Sequence, residues 1–152
     1  MQPIDALKKV PIFEELEDSL LKLLVVRSKS LSMPAGDILM TEGDEGKSIY
    51  ILLSGQVRVD RKTSDGQVVS IAEREAGDSF GEMSLIDGQP RSATVVATAP
   101  CEVLIVDQNT FETIVLSHPR AAMAVLRTLV RRLRDQSEKL SEAKHQLEQR
   151  AE

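Results

Sequence analysis

The run from Phe80 to Thr94, Phe-Gly-Glu-Met-Ser-Leu-Ile-Asp-Gly-Gln-Pro-Arg-Ser-Ala-Thr, concentrates groups that can hold an anion. Gly81 has no Cβ, so a ligand can come close to its backbone. Glu82 is a carboxylate acceptor at the start of a stretch, Gly81 to Ile86, that fits one short helical turn. Arg91 offers a rigid fork of donors matched to a phosphate. Ser92 adds a hydroxyl and a backbone N–H beside it. The chemistry predicted is capture of a phosphate together with a neighbouring sugar hydroxyl. Two blander readings compete: a structural ion pair between Glu82 and Arg91 that holds a loop, and a Ser92 hydroxyl bonded locally at a strand start.

Such groups converge only if the flanking elements bring residues 80–94 to a cleft. Over residues 30–107 short β-type runs alternate with turn signals, the pattern of a sandwich or barrel. Candidate strands are Leu31–Met33, Ile38–Thr41, Ser48–Ser54, Gln56–Lys62, Val68–Glu73, Ser92–Ala97 and Glu102–Asp107. Asp65-Gly66 between two of them is a hairpin signal. Residues 1–29 form a helical segment, with leucines at 16, 20, 21, 23 and 24, broken into short pieces by Pro3 and Pro11. Residues 108–152 return to helix. Asn109 or Thr110 is placed to cap a short helix ending at Leu116, and Pro119 to open a long one that meets no further Gly or Pro.

The long helix carries Leu126, Leu133, Leu140 and Leu147 seven apart. With these at d, the a positions are Met123, Val130, Ser137, Lys144 and Ala151. That register predicts a two-stranded parallel coiled coil, and hence a homodimer, with polar Ser137 and Lys144 restricting register at a cost in stability. The alternative is a single amphipathic helix packed on its own domain.

Bulk properties narrow the function classes. The 152 residues are 41% apolar and 28% charged, enough for one domain with a real core. Aromatics are confined to Tyr50, Phe13, Phe80 and Phe111, which leaves no stacking platform for nucleic acid. Net charge is −5. Residues 120–152 hold eight basic against five acidic side chains, a surplus of three, so the remainder stands at −8. The basic cluster Arg127, Arg131, Arg132 and Arg134 reads as a solvated helix face. Cys101 is the single cysteine and reads as a small core residue. No signal peptide or membrane-length apolar run occurs, so a cytoplasmic location without membrane contact is expected. His118 and His145 have no ligand-spaced partners, so no metal site is expected.

The layout and the Phe80–Thr94 signature resemble the cyclic nucleotide-binding domain family, and Arg131-Arg132-Leu133 with Ser137-Glu138-Lys139 resembles the dimer helix of bacterial catabolite activator relatives. The resemblance implies an α+β fold: an eight-stranded, jelly-roll-like β-roll flanked by N-terminal helices and a long C-terminal dimerisation helix. It implies that Glu82 accepts from the ribose 2′-hydroxyl, that Arg91 pairs with the exocyclic phosphate oxygens and that Ser92 supports it. Gly81, Met83, Ser84 and Ala93 belong to the same binding set, and Val59 and Ile71 wall the sugar and base. In those relatives a Thr-Ser pair on the long helix meets adenine. Here the pair is Gln136-Ser137, which keeps cAMP as the expected ligand and leaves cGMP open.

The function expected is a non-catalytic cAMP sensor that signals through its dimer helix. The chain lacks the clustered metal ligands and general base that a β-roll enzyme or phosphodiesterase would need, and no cofactor is expected. A truncated sensor portion of a DNA-binding regulator is the main alternative. With no helix-turn-helix after the long helix, DNA binding by this chain alone is not expected.

Overall fold

The computed structural model describes residues 3–151. Helix α1 (Pro3–Leu7), a 3-10 turn (Pro11–Phe13) and α2 (Asp18–Arg27) precede eight strands. These are β1 (Lys29–Met33), β2 (Ile38–Met40), β3 (Ser48–Ser54), β4 (Gln56–Lys62), β5 (Val68–Glu75), β6 (Ser79–Phe80), β7 (Thr94–Ala97) and β8 (Cys101–Asp107). Helix α3 (Glu82–Asp87) stands between β6 and β7. Helix α4 (Gln108–Thr110) runs on as a π-helical segment (Phe111–Leu116), and α5 (Pro119–Ala151) closes the described chain.

The strands form two antiparallel sheets of four, ordered β1-β8-β3-β6 and β2-β7-β4-β5. Alternation along β3 explains the layering. Ile49 and Ile51 point to a cluster with Leu7, Phe13, Leu24, Phe111 and Val115 from the helices. Leu52 points the other way, to a second cluster with Val57, Phe80, Val95 and Val103 inside the roll. The first sheet is therefore covered on both faces, whereas β5 in the second sheet is largely exposed. Cys101 is buried in the roll, as expected of a core residue.

Several expected boundaries move. The eighth strand, β6, is a two-residue strand paired through Tyr50↔Phe80 and Ile51↔Ser79, too short to show a period in sequence. The strand expected from Ser92 begins at Thr94, leaving Ser92 and Ala93 in the approach to it. Lys29 starts β1 opposite Ile105 rather than ending a helix. The cap expected at Asn109 or Thr110 is supplied by Asp107, whose carboxylate accepts from the Thr110 N–H at 2.7 Å. That hydrogen bond, with one from the Thr110 side chain, holds the Asp107 pKa below the usual carboxylate range. The Asp65-Gly66 turn does join β4 to β5, with Thr63 N–H donating to the Gln67 carbonyl at 2.7 Å.

Helix α5 has two apolar faces. Ala121, Ala124 and Val125 are buried against its own domain. Met123, Leu126, Val130, Leu133, Leu140 and Leu147, the a and d positions, are open to solvent. From Leu133 to the described end every residue is exposed.

Candidate functional site

Arg91 is fixed by local geometry before any ligand is considered. Its backbone N–H donates to the Asp44 carbonyl at 2.8 Å, and its carbonyl accepts from Gly43 N–H at 2.9 Å. The side chain then turns inward, 4% exposed. Nη1 donates to the Gly81 carbonyl at 2.9 Å and Nη2 to the Ser48 carbonyl at 2.8 Å. The guanidinium carbon lies 5.3 Å from the Tyr50 ring centre, a cation–π distance. A Cβ on Gly46 would collide with this guanidinium, so Gly46 serves Arg91 rather than a left-handed turn. Two neutral carbonyls do not balance a buried charge, and no carboxylate pairs with Arg91 among the described residues.

Glu82 sits at the first turn of α3. Gly81 precedes it at φ +91, a conformation that favours glycine, and a Cβ there would stand 2.6 Å from Arg91 Nη1. Gly88, at φ +71, ends the helix with its N–H on the Ser84 carbonyl at 3.0 Å. Glu82 is 5% exposed. Its Oε1 is ion-paired with Arg132 of α5, which also donates to the Ser79 carbonyl. Its Oε2 is buried and has no hydrogen-bond partner. Glu82 and Arg91 thus do not pair with each other, and Arg132 is not the solvated cation that the charge run suggested.

A cavity of about 320 Å³ opens above these groups. The Phe80–Thr94 run, hereafter the cassette, contributes Phe80, Gly81, Glu82, Met83, Ser84, Ser92 and Ala93; the second sheet contributes Met40, Val59, Ile71, Ala72, Arg74 and Val95; α5 contributes Leu129, Arg132, Leu133 and Gln136. One wall is rich in hydrogen-bonding groups and the other is mostly apolar, which suits a ligand with a polar end and a flat apolar end. A bulge lets adjacent residues of β5 share this wall. Val59 pairs with Ala72 and Asp60 with Ser70, so Ile71 is the unpaired residue.

Of the residues named from sequence, Gly81, Glu82, Met83, Ser84, Ser92, Ala93, Val59, Ile71 and Gln136 line the cavity. Arg91 lies beneath Gly81, off the cavity wall. Ser137 is exposed on α5 and does not line the cavity. The Ser92 hydroxyl is 3.9 Å from the Met83 sulfur.

Sequence reasoning passed over Arg74, Arg132, Leu129 and Leu133. For three of these a signal existed: Leu129, Arg132, Leu133 and Gln136 are spaced three and four apart and so share one face of a helix. Arg74 gave less warning. It lies two residues from Ala72 on β5, on the same face. Its pKa lies below the ordinary arginine value, first because of burial and second because of the Arg132 charge.

Comparison with known proteins agrees with this geometry. A family model described as the cyclic nucleotide-binding domain matches residues 30–118. A CRP-like cAMP-activated global transcriptional regulator of Mycobacterium tuberculosis is 27% identical over 138 residues, covering 91% of this chain and 62% of that protein. The crystal structure of Thermus thermophilus catabolite activator protein superposes with a TM-score of 0.77 at 31% identity, covering 86% of this chain and 62% of that one. A regulatory subunit of a cAMP-independent protein kinase A from Trypanosoma cruzi, bound to guanosine, gives a TM-score of 0.69 at 27% identity, covering 74% of this chain and 40% of that one. The chain thus spans about three fifths of the bacterial regulators it resembles. Among the described residues no helix is long and apolar enough to cross a membrane, and no group of three or more metal-ligating side chains forms. Eight strands in two antiparallel sheets, a cassette against a long helix and a family match across the whole roll lead to one assignment: the chain belongs to the cyclic nucleotide-binding domain family.

Proposed function

We propose that the chain is a non-catalytic sensor of a cyclic nucleotide, with cAMP the favoured ligand, which signals through a parallel dimer of α5. The observation that carries the reading is a pair of unmet needs at adjoining residues, Glu82 on the cavity wall and Arg91 directly behind Gly81. Arg91 is a buried cation without a carboxylate partner, and Glu82 Oε2 is a buried acceptor without a donor. A cyclic phosphate supplies the anion that Arg91 lacks, and the adjoining 2′-hydroxyl supplies the donor that Oε2 lacks. Gly81, Met83, Ser84, Ser92 and Ala93 then surround the sugar-phosphate, while Val59 and Ile71 take the base.

Signalling follows from the way α5 serves two surfaces. Leu133 lines the cavity and is also a d position, 66% exposed. A ligand that changes the seat of α5 on the cavity changes the seam offered to the second copy. Coupling requires that the ligand bind the two helix arrangements with different affinity. In this reading Ser137, at an a position off its own cavity, serves the ligand of the second copy.

A second reading, cGMP, is favoured by Gln136. It lines the cavity with both a donor and an acceptor and so suits either purine. The names of the relatives include cAMP-activated regulators and a regulatory subunit bound to guanosine, a guanine nucleoside without a phosphate. Isothermal calorimetry tests the class: one equivalent of cAMP or cGMP per chain is expected. No heat with either would overturn the sensor reading.

A further inference from the structure

Two guanidiniums stand near one carboxylate at the edge of the cavity. Arg132 takes Oε1 of Glu82. Arg74, on β5, lines the same cavity and also a neighbouring polar cleft of about 180 Å³ that holds Arg131, Asp78 and Asp135. No ion pair holds Arg74 among the described residues. Its side chain bonds only to the carbonyl of its neighbour Glu73, at 3.3 Å. By contrast Arg58 has Asp60 and Arg132 has Glu82.

The electrostatics point the same way. Burial lowers the Arg74 pKa most and the Arg132 charge lowers it next, and the attraction of Asp78, Glu82 and Asp135 does not offset them. Arginine stays charged at neutral pH whether folded or unfolded, so a folded pKa below the unfolded one is a cost to the fold. Groups held at such a cost concentrate where a ligand uses them.

We infer that Arg74 is a ligand-binding residue, an unpaired positive charge lining the nucleotide cavity that attracts the anionic ligand. The inference rests on the cyclic nucleotide reading above. Arg91, behind Gly81, is the residue the proposed function assigns to the phosphate. Arg74 contributes through its field, in a site where partial exclusion of water strengthens it. The competing role is structural: the aliphatic stem covers apolar surface and the head is merely solvated. The two roles predict different signs.

The 152-residue chain and its Arg74→Met variant, which keeps the stem and removes the charge, separate them. The ligand-free variant is expected to melt at a higher temperature than wild type. It is expected to bind cAMP about tenfold more weakly at low salt, the scale of one unit charge acting across a half-buried site. The loss should shrink at high salt, and Arg74→Lys should restore most of the affinity. Unchanged or tighter cAMP binding by Arg74→Met would overturn the inference. So would a lower melting temperature with a loss that salt does not move, because that is the signature of a packing role. If the wild type binds neither cAMP nor cGMP, the sensor reading falls and this inference with it. If the wild type binds and Arg74→Met binds equally well, this inference falls alone.

Discussion

The cassette and the long helix face each other across one cavity, but they are built on different terms. The cassette is held by its own neighbourhood: Gly81 and Gly88 bound α3, and the Arg91 backbone is clamped to Gly43 and Asp44. Its groups are in place before a ligand arrives. The helix is seated from Ala121 to Arg132, through Ala121, Ala124, Val125, Leu129 and the Arg132–Glu82 ion pair, and from Leu133 it extends with every described residue exposed. An exposed leucine stripe on a helix that leaves its domain gains stability by burial against a second apolar face, as in the proposed dimer. In the proposed function the cassette is the fixed recognition element and the helix the responding one.

Removing residues 134–152 breaks the comparison most severely. Leu140 and Leu147 from both copies leave the seam, a loss on the order of 4–6 kcal/mol per dimer at ~1–1.5 kcal/mol for each leucine. Sedimentation should show a weakened dimer, while thermal melting of the domain changes little. An unchanged dimer would place the interface elsewhere. Next in size is Arg91→Ala, which should cost ~2–5 kcal/mol of cyclic nucleotide binding, the scale for truncating one partner of a buried charge pair. Calorimetry reads this directly, and near-unchanged affinity would reject the phosphate assignment.

How much of this was legible in the chain follows the same division. The cassette could be read because its determinants lie within fifteen residues, and glycines with a fixed role leave a mark in sequence. The heptad of α5 could be read because its period is local. What could not be read was convergence from afar. Arg132 lies 50 residues from Glu82, and on a one-dimensional view it belongs to a run of solvated arginines. Arg74 sits on a strand whose other residues are mostly exposed, and its neighbour Ile71 enters the cavity through a bulge that no alternation pattern announces. Strand β6 stayed hidden because two residues cannot show a period. The cap at Asp107 was misplaced by two residues because Asn109 and Thr110 are themselves good cap types.

Smaller perturbations sharpen the comparison at its boundary. Gln136→Ala should change the cAMP to cGMP preference by about 1 kcal/mol, the net worth of one hydrogen bond, and leave Arg91-dependent binding of both intact. Equal preference before and after would remove Gln136 from base recognition. Asp107→Ala, at the entry to the π-helical segment, should cost about 1 kcal/mol of stability at neutral pH. The sign with pH is fixed, because the folded pKa of Asp107 is depressed. Its contribution is present above the ordinary carboxylate pKa and is lost as pH falls through the lowered folded value. Melting curves of wild type and variant should therefore converge in acid. A gap that persists there would reject the capping role.

The central claim, that one cavity recognises a cyclic phosphate through the cassette and a purine through the helix, is met most directly by competition among cAMP, cGMP and linear AMP for the intact chain. The account predicts that both cyclic nucleotides displace a bound cyclic probe, with cAMP the stronger, and that linear AMP competes far more weakly. Competition by linear AMP as strong as by cAMP, or no competition by either cyclic nucleotide, would contradict it.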